Sequence, residues 1–179
     1  QAVTSCILLA LGIQAASQST MNNTTWGNHK HQYYETICGG TGAGINYDGA
    51  PHQGTSGVHS HMTNSRLTDP EVLENRFPVV LEEFSIRNNS GGDGKFRGGD
   101  GVVRKIRFLE RMTLAILSGH RIEPPPGLEE GSSGKVGFSK IVRKDGSVVK
   151  LDSADQAIME AGDMFWLETP GGGGLGKPN

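Results

Sequence analysis

The chain has 179 residues, with 17 basic and 19 acidic side chains and a formal charge of −2. That length supports one domain, or two small ones, with a real core, and the scattered, nearly balanced charge offers no surface for a polyanion, so nucleic acid is not expected as a partner. The longest apolar run, residues 6–13, is far shorter than the roughly 20 residues a bilayer-spanning helix needs, so no membrane span is expected.

Only Cys6 and Cys38 are present. Cys6 lies in an apolar run and reads as a buried thiol, so no disulfide framework is expected, and a reducing, cytoplasmic setting fits best. "CILLALG" before "AAS" resembles a secretory signal, but no Met and no basic segment precede it. The start reads as a cut through a longer protein. Glycine, at 27 residues, is about twice its usual share of ~7%. Its clusters lie between well-formed apolar segments, which argues for tight turns and close backbone approach rather than disorder.

In chain order, Val3, Ile7, Leu8 and Leu11 follow a helical face and predict a helix over about 2–17. "MNNTTWGNHKHQ" breaks every period and reads as irregular. "YYETI" (33–37) is a short β-prone stretch that enters the loop "CGGTGAGINYDG". Thr68 and Glu71 form a T-x-x-E capping box, while Asp69 before Pro70 is an alternative N-cap; either way a helix spans 70–76 and stops before Pro78. The remaining apolar runs are β: 79–87, 101–110, 112–118, 137–144, 147–151 and 163–170. Asp145-Gly146 is the strongest hairpin signal among them. The expected fold is α+β, with a helical and glycine-loop half over 1–78 and a β-rich half over 79–179 that forms a sandwich or barrel-like layer.

His59 and His61, two apart, face the same way on a strand, a spacing that suits one divalent ion or one anion. Asp69 and His52 could add ligands, but no spacing compels them, and a polar structural role outweighs metal. Thr63, Asn64 and Arg66 follow, donors suited to a carboxylate or amide; a hydrogen-bonded loop that docks the next helix is the equal alternative. "CGGTGAG", with Gly39, Gly40 and Gly42, resembles a phosphate loop but lacks the Gly-Lys-Ser/Thr ending. "TPGGGGLG", with Gly171, Gly172, Gly173 and Gly174, offers bare backbone to something close by; a flexible exit is the alternative. Arg104 shares a strand face with Val102, Ile106 and Phe108, so it needs a buried partner and reads as a structural ion pair. Cys38 is the sole thiol worth testing as a nucleophile, and its context does not favour that role.

Several motifs occur together: "MNN-T-WGN" at 21–28, "YYET-CGG-GAG" at 33–44, "G-HSHMTNSR-TDPEVLE-RFP" at 57–78, "R-NSGGDGKFRGGDGVVR" at 87–104 and "TPGGGGLG" at 169–176. In this order the set resembles the carboxy-terminal part of the hydantoinase B/oxoprolinase family, in particular its eukaryotic 5-oxoprolinase branch. The resemblance implies an ATP-dependent amidohydrolase that opens the lactam of 5-oxo-L-proline to L-glutamate in the glutathione cycle, with Mg²⁺ accompanying the nucleotide. It also implies that the nucleotide sits in an upstream hydantoinase A-type ATPase region and that the whole enzyme is a homodimer. Alone, a piece of this kind is expected to be inactive. Glu35, His59, His61, Asn64 and Arg66 are the residues expected to line the cyclic amide pocket, and no metal site is assigned. "PPPGLEEG" (124–131) departs from the family pattern, so the turn there is expected to differ. The competing expectations are a non-catalytic subunit-docking module, or a hydantoinase or ketone carboxylase-type relative.

Overall fold

The computed structural model describes residues 2–18, 21–59 and 66–178. In chain order the elements are α1 (Ala2–Ala10), β1 (Asn22–Gly27), β2 (Gln32–Ile37), β3 (Gly44–Ile45), β4 (Pro51–His52), α2 (Pro70–Arg76) and β5 (Val79–Ile86). They continue through β6 (Val102–Phe108), β7 (Met112–Leu117), β8 (Phe138–Val142), β9 (Val148–Leu151), β10 (Ala154–Met159) and β11 (Met164–Glu168). Two antiparallel sheets, ordered β10-β7-β1-β2 and β5-β6-β11-β8-β9, enclose one core; β3 and β4 form a small separate pair.

The molecule is mostly β, and the expected helical first half does not exist. α1 stops at Ala10 because Gly12 adopts φ +66° while its N–H bonds the Leu9 carbonyl and the Ile13 N–H bonds the Leu8 carbonyl, a Schellman termination. Cys6, expected to be buried, is exposed, because α1 turns Ser5 rather than Cys6 inward. Strands from both sides of residue 78 share the first sheet.

"NNTTWG" is a central strand rather than an irregular segment. Its inward residues are Asn22, Thr24 and Trp26, and the first two are satisfied by hydrogen bonds instead of apolar contact: Asn22 Nδ2 donates to Gln18 Oε1 at 2.6 Å and Thr24 Oγ1 to the Glu35 carbonyl at 3.3 Å. β10 is an edge strand with largely exposed side chains, so no apolar alternation marks it. The β8–β9 hairpin turns at Gly146 with φ +85°. At α2 the capping alternatives resolve toward Asp69, whose Oδ1 accepts from the N–H of Glu71 at 2.9 Å and of Val72 at 3.4 Å.

Trp26, Met112, Leu114 and Ile116 of one sheet meet Ile106, Phe108, Ile141, Phe165 and Leu167 of the other. Trp26 stacks on Tyr33 with ring centroids 4.5 Å apart and takes Phe77 and Phe108 edge-on.

Beside the sandwich lies a second kind of interior, made of glycine backbone. The segment 170–174 is its rod. The Pro170 carbonyl accepts from Gly40 N–H, and that of Gly173 from Ala43 N–H. Gly171 and Gly174 donate to the Lys135 and Ser132 carbonyls, while Gly172 bonds Gly99 and Gly92. Residues three apart therefore face the same neighbour, the period of an extended threefold helix, which has no internal hydrogen bonds and must find them sideways. A Cβ on Gly172 would drive into the Thr41 carbonyl, and one on Gly40 into that of Gly99.

Candidate functional site

Glu35 of β2 points into the core because it alternates with Tyr34 and Thr36; Arg104 of β6 does the same from the opposite sheet. The two meet with Arg104 Nη2 at 2.9 Å from Glu35 Oε2, both almost wholly buried. The contact is ionic rather than an aligned hydrogen bond, and Arg104 Nε and Nη2 have no hydrogen-bond partner. Arg104 also lies 5.5 Å from the Phe84 ring centroid. The expected partner for the buried arginine is therefore a residue that the sequence separately suggested for the pocket.

The second Glu35 oxygen accepts the Thr68 backbone N–H at 2.7 Å, and Tyr33 OH donates to Thr68 Oγ1 at 2.8 Å. Glu35 thus pins the segment that leads into α2. Burial pushes the Tyr33 hydroxyl up to about 12, with the Glu35 carboxylate adding to the effect.

A cavity of about 470 Å³ opens on this assembly, lined by Cys38, Gly57, Val58, His59, Arg66, Leu67 and Phe84. His59 Nε2 is 2.7 Å from the Thr36 carbonyl. A carbonyl only accepts, so in the neutral ring Nε2 carries the proton and Nδ1 remains an acceptor. Arg66 is exposed at the rim. Of the sequence-derived residues, His59 and Arg66 share the cavity, Glu35 stands behind its wall, and His61 and Asn64 lie outside the described residues. Thr63 lies outside them as well. Phe84 and Leu67 were not anticipated; Phe84 is an exposed aromatic on a strand, a signal that period-2 alternation alone does not rank.

Cys38 lines the cavity, but burial raises its thiol to about 11, so it stays protonated and is no nucleophile at neutral pH. Among the described residues no group of three or more His, Cys, Asp or Glu could hold a metal. Nor do the glycine loops fit a nucleotide. The N–H groups of Gly39, Gly40, Gly171, Gly172, Gly173 and Gly174 all donate to carbonyls of this same chain, and that of Gly42 to Ser17 Oγ, which leaves no nest for phosphate oxygens. Their closeness is to neighbouring segments of the same molecule. At the divergent "PPPGLEEG" turn, Glu129 and Glu130 adopt φ +49° and +67°.

Residues 1–178 match the family model described as hydantoinase B/oxoprolinase. The chain is 46% identical over 177 residues to a 5-oxoprolinase of Dictyostelium discoideum and, again at 46% over 177 residues, to 5-oxoprolinase 1 of Arabidopsis thaliana. In each case 99% of this chain aligns with 14% of the relative, so it spans about one seventh of their length. The fold matches the ATP-dependent caprolactamase of Pseudomonas jessenii with a TM-score of 0.74 at 21% identity, covering 92% of this chain and 30% of that one.

Proposed function

The chain belongs to the hydantoinase B/oxoprolinase family, and from that premise we propose that it forms the carboxy-terminal part of an ATP-dependent cyclic amide hydrolase that opens 5-oxo-L-proline to L-glutamate. The observation that carries this reading is the cavity that His59 and Arg66 both line, close to the Glu35–Arg104 pair. Its volume of about 470 Å³ suits a small ligand. 5-Oxoproline presents a carboxylate and an amide N–H. The Arg66 fork matches the first, and the unprotonated Nδ1 of His59 accepts from the second.

Glu35 acts as a positioning residue. By holding Thr68 and balancing Arg104 it fixes the ground on which the 66–68 segment stands. ATP and Mg²⁺ do not fit the described residues of this chain, so the nucleotide belongs with an upstream ATPase region, and the isolated chain is inactive. The glutathione cycle, a cytoplasmic setting and a homodimer belong to the same proposal. In the full-length polypeptide, His59→Ala and Arg66→Ala are expected to lower kcat/KM for ATP-dependent glutamate release at least tenfold each. Unchanged turnover and affinity in both would remove the pocket assignment.

A second reading, a docking module, is favoured by one feature. Val3, Ile7 and Leu11, spaced four apart along and just past α1, are 73%, 53% and 65% exposed, an apolar stripe that nothing in the described chain covers. The two roles are compatible.

A further inference from the structure

A second cavity, of about 430 Å³, shares no lining residue with the first. Arg121 enters it from the loop between β7 and β8. Space for the guanidinium exists only because residue 137 is glycine: a Cβ there would occupy the place of Arg121 Nη1. The guanidinium is held by neutral acceptors. Nη2 donates to Asn22 Oδ1 at 3.1 Å and Nη1, weakly, to the Glu168 carbonyl at 3.4 Å. The buried Nε has no partner.

The neighbouring charges deepen the imbalance. Glu168 is already paired with Arg87, whose Nε lies 2.6 Å from Glu168 Oε2, so its carboxylate is taken and Arg121 reaches only its backbone carbonyl. Burial and the adjacent Arg87 lower the Arg121 pKa to about 10, which still leaves it charged at neutral pH. A half-buried, charged arginine without a carboxylate partner is costly to maintain. The wall carries Lys150 and Asp152, one charge of each sign, and the apolar groups Ile122, Phe138 and Leu151.

We propose that this cavity is a carboxylate-binding site, in which Arg121 grips the carboxylate of a small monocarboxylate through its unpaired N–H groups while Ile122, Phe138 and Leu151 pack its apolar body. Cost and geometry agree on the ligand class. A carboxylate offers two acceptors to the guanidinium N–H groups that the protein leaves unpaired, and the apolar walls favour a short hydrocarbon body over a hydrated inorganic ion.

The test uses the full-length polypeptide with benzoate as probe and inorganic phosphate as the comparison anion. Isothermal titration is expected to show saturable benzoate binding, weakened at least tenfold in Arg121→Gln and partly retained in Arg121→Lys, with phosphate weaker than benzoate. Because either substitution could unfold the loop, the unaltered protein is also treated with phenylglyoxal and mapped by mass spectrometry. Modification of Arg121 that benzoate suppresses supports the site. Titration silence, equal binding by a folded Arg121→Gln variant, or an Arg121 that resists the reagent without benzoate overturns it; the last would mean that another part of the polypeptide fills the cavity. Loss of glutamate release in the His59 and Arg66 variants bears on the first cavity alone, so the two assignments stand or fall separately.

Discussion

Arg104 and Glu35 come from opposite sheets and meet at 2.9 Å inside the core, so one ion pair ties the two layers of the sandwich together behind the candidate pocket. Removing one partner leaves the other as an uncompensated buried charge. Glu35→Leu or Arg104→Met alone is expected to destabilise by about 3–5 kcal/mol, and the double variant by much less, because a well-packed apolar pair replaces the ions. Hydrogen-exchange mass spectrometry of peptides from β2 and β6 reads this directly. Equal loss in the double and single variants would show that the pair is not the source.

Alkaline pH should weaken the same region. In the fold Cys38 titrates near 11 and Tyr33 near 12, both above their ordinary values. A group whose pKa is raised by folding contributes fully below its unfolded value and loses that contribution as pH climbs through the folded one. Stability is therefore expected to be flat to about pH 8.5 for the thiol and to fall from there up to about 11. Cys38→Ala, if it folds, should flatten the first part of that decline. At pH 8, iodoacetamide should label exposed Cys6 within minutes and leave Cys38 untouched.

Glycines here separate into two kinds. Gly172→Ala pushes a methyl group into the Thr41 carbonyl, and backbone cannot give way, so a loss of about 3 kcal/mol or more is expected. Gly49 has φ +81° with nothing near its missing side chain, so Gly49→Ala costs only about 1–2 kcal/mol of left-handed strain. Thermal melting of the two variants distinguishes packing from conformation.

Glu130 sits at φ +67°, where a side chain is strained. Glu130→Gly relieves that strain against the added entropy of the unfolded chain, so stability is expected to be unchanged or raised by up to about 1 kcal/mol. A clear loss in denaturant midpoint would mean that the Glu130 side chain makes a contact of its own.

Much of the second half was legible in the sequence because its strands alternate apolar and polar residues against a single core. Arg104 was legible as a buried ion because it broke that alternation. β1 was not legible, since its inward Asn22 and Thr24 are satisfied by hydrogen bonds that depend on residues brought near by the fold. The early stop of α1 was visible in principle: Gly12 after "LLAL" is a helix terminator, and the apolar rhythm that continued past it hid the signal. In the pocket, His59 and Arg66 could be picked out by residue type, whereas Phe84 entered from a strand whose place beside them only the sheet order decides.

The threefold glycine rod at 170–174 also bears on how the molecule is made. Loops around residues 16, 40–43, 92–99 and 128–135 all take hydrogen bonds from it, or give them to it, yet each leaves the ribosome before it. None can be completed locally. Their backbone groups stay in water until a partner as many as 157 positions downstream arrives, as Ala16 does for Gly173. Such sequence separation slows folding, and the bundle cannot be complete until this short run of glycines has been made.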